Sequence, residues 1–243
     1  MIITVSKKDF RQALTATVPL IHKDWPKLDM VHAYVVGELL YVQGTDGQAA
    51  GLAIVNVWDQ EGITGSPRDD SFTLTKHQVA EILTVFKLTK EEAEDNTDNA
   101  LADPLEITTW KEEIHFKDMA GLIPGKELVI PIAERVQDFP IVPVSVMPQE
   151  GVTVLGRATM PSGVVKAFLA AAQTYGKDLT FKRAANDRTV FVACGESFRG
   201  SILLRDESRD NDELKKVLDE QEEAWAHRLP VVVEALRPVE QAA

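Results

Sequence analysis

The chain opens on a change of period. Residues 3–5, ITV, alternate as a strand does. The segment SKKDFRQALTATV then repeats its apolar positions at helical spacing, with Phe10, Ala13, Leu14 and Val18 on one face. Ser6 stands where a helix N-cap is wanted. Three strands follow: MVHAYVV, a Gly37-Glu38 turn, ELLYVQG, the polar turn Thr45-Asp46-Gly47, and AGLAIVNVW. DQEGITGSPRDD is a turn-rich connector.

The same order then recurs. SFTLT reads as a strand and KHQVAEILTVFKL as a helix, with Val79, Ile82, Leu83 and Phe86 on its apolar face; LEITTW, EEIHFKD and ELVIPI follow as strands. The acidic insert at 91–104 interrupts this unit after its helix and reads as a solvated loop. A third pass runs GVTVLGRATM, the helix PSGVVKAFLAAAQTYG, and the strands DLTFKRA, TVFVACG and SFRGSILL. A strand–helix–three-strand unit thus repeats at a spacing of roughly 70–80 residues. The expected fold is α+β, with helices on one face of antiparallel sheets. The expected organisation is a domain of two units over 1–135, a connector over 136–150 and a third unit over 151–205. Residues 206–243 hold a charged helix, NDELKKVLDEQEEAWAHRL, and a tail.

Composition narrows the function. The net charge of −12 opposes DNA binding through overall charge and leaves only a local basic surface as a route to phosphates. Cys194 is the sole cysteine and sits in the apolar run VFVACG, so it reads as a buried structural thiol in a reducing compartment. No run of eighteen apolar residues and no signal-peptide layout is present, and the expected location is cytoplasmic, away from membranes. The histidines lack ligand spacing, and the acidic runs at 91–98 and 206–212 lack the glycine and terminal glutamate of a calcium loop. GxxxxGK[ST], GxSxG and GxGxxG are all absent. No enzyme activity, cofactor or metal is expected.

Three segments carry a family likeness. LYVQGTDGQAAGLAI resembles the strand–TDG–strand segment of bacterial DNA polymerase sliding clamps. RVQDFPIVPVSVMP is similar to the clamp segment whose Phe-Pro pair leads from one domain to the next, and VFVACGESFRGSIL to the paired strands that close a clamp domain. The likeness covers 1–148 evenly and 151–205 more loosely. It implies a processivity factor, bacterial or phage-encoded, that encircles duplex DNA as a homo-oligomer and tethers a polymerase. The chain departs from the family in its count of repeats: three half-domain units would need four chains to supply twelve, or three chains if the tail holds a fourth unit. A clamp-like protein that binds or mimics a cellular clamp, without encircling DNA, is the alternative. A metal-dependent nuclease built on the acidic runs is a third.

The resemblance implies that the helices face DNA, and the residues can be read against that. Lys7, Arg11 and Thr15 form a polar stripe on the first helix, with Lys8 beside them. Lys76, Ala80 and Lys87 do so on the second, and Lys166, Ala170, Gln173 and Lys177 on the third. Lys7, Lys8, Arg11, Lys76, Lys87, Lys166 and Lys177 are therefore the candidate phosphate contacts. The resemblance also implies a pocket for a short partner peptide, lined by Thr45, Leu52, Pro140, Val146, Ile202 and Leu204. A clamp loader is the further partner it implies.

Overall fold

The computed structural model describes residues 1–26, 28–88, 103–121, 125–133, 142, 160–183 and 188–204, with single positions 216, 219, 220 and 223 beyond them. In the first unit β1 (Ile2–Ser6) runs directly into α1 (Lys7–Thr17), with a tight 3-10 turn over Val18–Leu20. The Ser6 hydroxyl accepts the Asp9 backbone N–H at 3.1 Å, satisfying a donor that a helix start leaves open. The strands β2 (Met30–Val36), β3 (Leu39–Thr45) and β4 (Ala49–Glu61) follow.

The second unit repeats the pattern as β5 (Ser71–Thr75), α2 (Lys76–Val85), β6 (Pro104–Trp110), β7 (Glu113–Asp118) and β8 (Glu127–Pro131). Here Thr75 and Gln78 exchange side-chain and backbone hydrogen bonds, a reciprocal cap. The third supplies α3 (Ser162–Tyr175), ended by Gly176 at φ 60°, and then β9 (Leu179–Arg183), β10 (Thr189–Cys194) and β11 (Phe198–Leu203). Its expected first strand, over 151–160, lies outside the described residues except for Met160.

Every described strand pair is antiparallel, but the first two units are not separate sheets. The order β5-β2-β3-β4-β1-β6-β7-β8 puts the leading strand of each unit beside the three-stranded meander of the other. Neither unit can therefore fold away from its neighbour without leaving a row of backbone groups unpaired. The thirteen-residue β4 joins them: its far end pairs with β1, its near end with β3 and β11. Residues Met1–Leu204 form one compact unit.

Helix α1 lies across this sheet. The fit leaves no space at Gly44 of β3, where a Cβ would sit 2.8 Å from the Thr17 carbonyl oxygen. Phe10 stacks on Phe116 with ring centroids 6.0 Å apart, Phe86 meets Phe116 at 6.3 Å, and Phe168 meets Phe198 at 6.2 Å. The first pair joins units one and two, the second lies within unit two and the third within unit three, all inside one core. Each pair contributes about 0.5–1.5 kcal/mol beyond its buried area. Cys194 is fully buried in that core, where burial pushes its thiol pKa up.

The end of the acidic insert differs from expectation. Most of 91–104 lies outside the described residues, but Asp103 is buried and Pro104 opens β6. The Asp103 carboxylate accepts the Lys8 backbone N–H at 2.7 Å, and its carbonyl accepts that of Lys7 at 2.9 Å. An acid at a helix N-terminus meets the positive end of the helix dipole, so this residue belongs to the structural frame. In the C-terminal unit, Lys216, Asp219, Glu220 and Glu223 are helical, and Lys216 Nζ lies 3.9 Å from Glu220 Oε1.

Candidate functional site

The helix layer is held together by polar side chains, one of which, Arg11, the sequence pattern assigns to an outer stripe. Arg11 Nη1 donates to the Leu83 carbonyl at 2.6 Å, tying α1 to the last turn of α2. Gln12 Nε2 donates to the Thr174 carbonyl at 3.2 Å, tying α1 to α3. Lys126, which sequence reasoning passed over, donates to the Val85 carbonyl at 3.0 Å. Two cations therefore meet the carbonyls that the end of α2 leaves open, where the helix dipole favours positive charge. No local signal announces either contact, since the partners are 72 and 41 residues apart in sequence.

Lys7 corrects the expected stripe. It is 3% exposed, and its ammonium lies 3.1 Å from Asp118 Oδ2 in the second unit. A residue in the first position after β1 still follows the strand's direction into the sheet seam, whatever its helical phase. Lys8 and Arg11 are half-buried, whereas Lys76, Lys87, Lys166 and Lys177 are exposed. The stripe is also less purely basic than the pattern implies: Glu81 is exposed on α2 and Asp9 is half-buried on α1. No acid occurs within α3. Lys76 and Lys166 are thus exposed on α2 and α3, and Lys87 and Lys177 just past them.

The second candidate site is the sheet face turned away from the helices. Thr45, Asp46 and Gly47 form the turn that begins it. Gly47 takes φ 86°, and Asp46 Oδ1 accepts the Gln48 and Ala49 N–H groups at 2.8 and 2.7 Å. The Thr45 hydroxyl donates to the Ala49 carbonyl at 2.8 Å. The polar turn is thus required by its own geometry, because a reversal this tight needs a positive φ and an Asx-type bond. Leu52 is buried on the outer face against Ala50 and Val142, with Tyr41 beside it.

Ile202 and Leu204 correct the expected pocket. Both belong to the core on the helix side of the sheet, Ile202 fully buried, so they stand across the sheet from Leu52. Pro140 and Val146 lie outside the described residues. The structure brings together Thr45 and Leu52 on neighbouring strands, and adds Val142 from the connector.

His32 and Gln43 sit on the same outer face, directly opposite each other in β2 and β3, with Nδ1 and Nε2 3.1 Å apart. Burial lowers the His32 pKa from 6.5 to about 4. A depressed histidine stabilises the fold in its neutral form. That contribution is complete above pH 6.5 and is lost as pH falls from 6.5 toward 4. Urea unfolding at pH 7 and pH 4.5 should differ by about 2–3 kcal/mol from this group. In His32→Gln that share of the acid sensitivity should vanish, and an unchanged pH profile would rule the assignment out.

No family model matches the chain, and no curated protein matches it. The matches are among solved structures. A DNA polymerase III beta subunit from Thermotoga maritima superposes with a TM-score of 0.60 at 12% identity, covering 86% of this chain and 66% of that one. One from Eubacterium rectale gives 0.55 at 8% identity, and one from Pseudomonas aeruginosa 0.54 at 13%, each covering 87% of this chain and 66% of theirs. Identity this low speaks to architecture alone. This chain has the fold of the bacterial DNA polymerase III beta-subunit sliding clamps, across 66% of their length.

Proposed function

We propose that the chain is a DNA polymerase processivity factor: a non-catalytic clamp, acting in the cytoplasm of a bacterial or phage-infected cell, that surrounds duplex DNA as a homo-oligomer and holds a polymerase to it. The observation that carries this is the clamp fold over most of the chain. On it, in a chain of net charge −12, Lys76, Lys87, Lys166 and Lys177 are exposed on or just past α2 and α3 and available for phosphate contacts. Contacts of that kind are independent of sequence and sensitive to salt, as a sliding contact requires. Partners, including the polymerase and a loader, dock on the outer sheet face around Thr45 and Leu52.

The test is the molar mass of the purified protein by light scattering across concentration, followed by retention on circular and linear DNA. A trimer or tetramer that stays on circles and slides off linear ends is the expected result. A strict monomer at micromolar concentration is incompatible with encirclement. One observation favours a second reading, a clamp-like protein that binds or mimics a cellular clamp: Lys7 and Arg11 are engaged inside the fold. A monomer forming a binary complex with a bacterial clamp would establish that reading instead.

A further inference from the structure

We propose that the outer face of β9, β10 and β11 is a docking cleft for an acidic peptide segment, held by Lys182 and Arg199. The cleft has a volume of about 300 Å³, and its lining includes Thr180, Lys182, Phe191, Ala193, Gly195 and Arg199, with no acid among the described residues. Register puts them on one face. Lys182 lies opposite Phe191, Ala193 lies between Thr180 and Arg199, and Arg199 in turn lies opposite Leu52 of β4. The alternate residues Val190, Val192 and Cys194 point into the core.

Charge and exposure identify the occupant. The chain carries 38 acidic residues against 26 lysines and arginines. Among the described residues, Lys182 and Arg199 are exposed and form no ion pair, although Asp178 and Glu196 stand in the flanking turns. β10 alone lies between the two strands, and the register sets the cations two residues apart along it, a backbone spacing of about 12 Å. Two acidic side chains four residues apart on one face of an extended peptide also span it. Leu203, 43% exposed on the same face, offers an aliphatic contact beside them. Phe191 is only 7% exposed, so it presents little ring surface on which bases could stack. Carboxylates with an apolar neighbour fit this face better than a single-stranded nucleic acid does. The cleft adjoins Leu52 on the same outer face, so the inference deepens the reading of that face as the place where partner proteins dock.

Fluorescence anisotropy of the full chain with a labelled peptide tests it. The peptide carries two glutamates four residues apart with a leucine midway between them, all three on one face when extended, and its control has glutamines in place of the glutamates. The expected result is binding about tenfold tighter to the glutamate peptide, a preference that Lys182→Glu/Arg199→Glu removes and that a lysine-bearing peptide reverses. Equal binding of the two peptides, or loss of binding only when labelled oligothymidylate competes at this face with higher affinity, would overturn the proposal. A change of the double variant in molar mass instead of peptide affinity would assign the face to a second copy and overturn it too. Retention on circular DNA is read in parallel. If the wild type shows no retention but the peptide preference persists, the cleft stands while the clamp reading falls.

Discussion

Glutamate at Lys76, Lys87, Lys166 and Lys177 together is expected to abolish retention on duplex DNA and to leave the fold intact. The four side chains are exposed, so each reversal should shift stability by no more than about 0.5 kcal/mol. Each phosphate contact contributes about 0.9 to the slope of log affinity against log salt, and losing four should flatten that slope by about 3–4. The measurement is duplex affinity across a salt series, with thermal unfolding as the control. Single reversals should weaken binding in steps, uniformly across DNA sequences. An unchanged slope in the quadruple variant would remove these helices from DNA contact and favour the clamp-binding alternative.

Asp118→Ala is expected to destabilise the chain by about 1.5–3 kcal/mol. It would remove the carboxylate 3.1 Å from the Lys7 ammonium, which is buried at the seam of the two units. That is a large share of the roughly 5–15 kcal/mol that holds an ordinary domain together. Lys7→Met/Asp118→Leu, which removes both charges and fills the space, should recover most of the loss. Denaturant unfolding of the three proteins decides the matter. A cost below about 1 kcal/mol for Asp118→Ala, with weakened DNA binding in Lys7→Glu, would instead return Lys7 to the DNA-facing surface.

These two predictions divide residues that look alike in sequence. Lys7 and Lys76 each stand in the first position of a helix, directly after a capping Ser6 or Thr75. One is buried and the other exposed, because β1 lies inside the sheet between β4 and β6 while β5 lies at its edge. Helical phase cannot tell them apart. What separates them is the number of neighbouring strands at each helix entrance. The same distinction underlies the peptide face: alternation along β11 sorts Ile202 from Leu203, but only its register with β4 shows that Ile202 and Leu52 stand on opposite sides.

The sequence by itself determined the order of elements. The change from period two to period 3.6 marks each unit, Ser6 caps the first helix as its chemistry suggests, and Gly37, at φ 60°, turns β2 into β3. Phe10, Ala13, Leu14, Val79, Ile82 and Phe86 are buried as their spacing requires. Only the tertiary structure decided which strand edges meet. The pairing of β1 with β6 and of β5 with β2, the triple pairing of β4, and the capping of α2 by Arg11 and Lys126 all join residues distant in the chain. Local patterns record whether a side chain faces in or out. They carry no record of what lies on the other side, because that depends on how separate patterns pack, and packing is settled among residues with no sequence relation to one another.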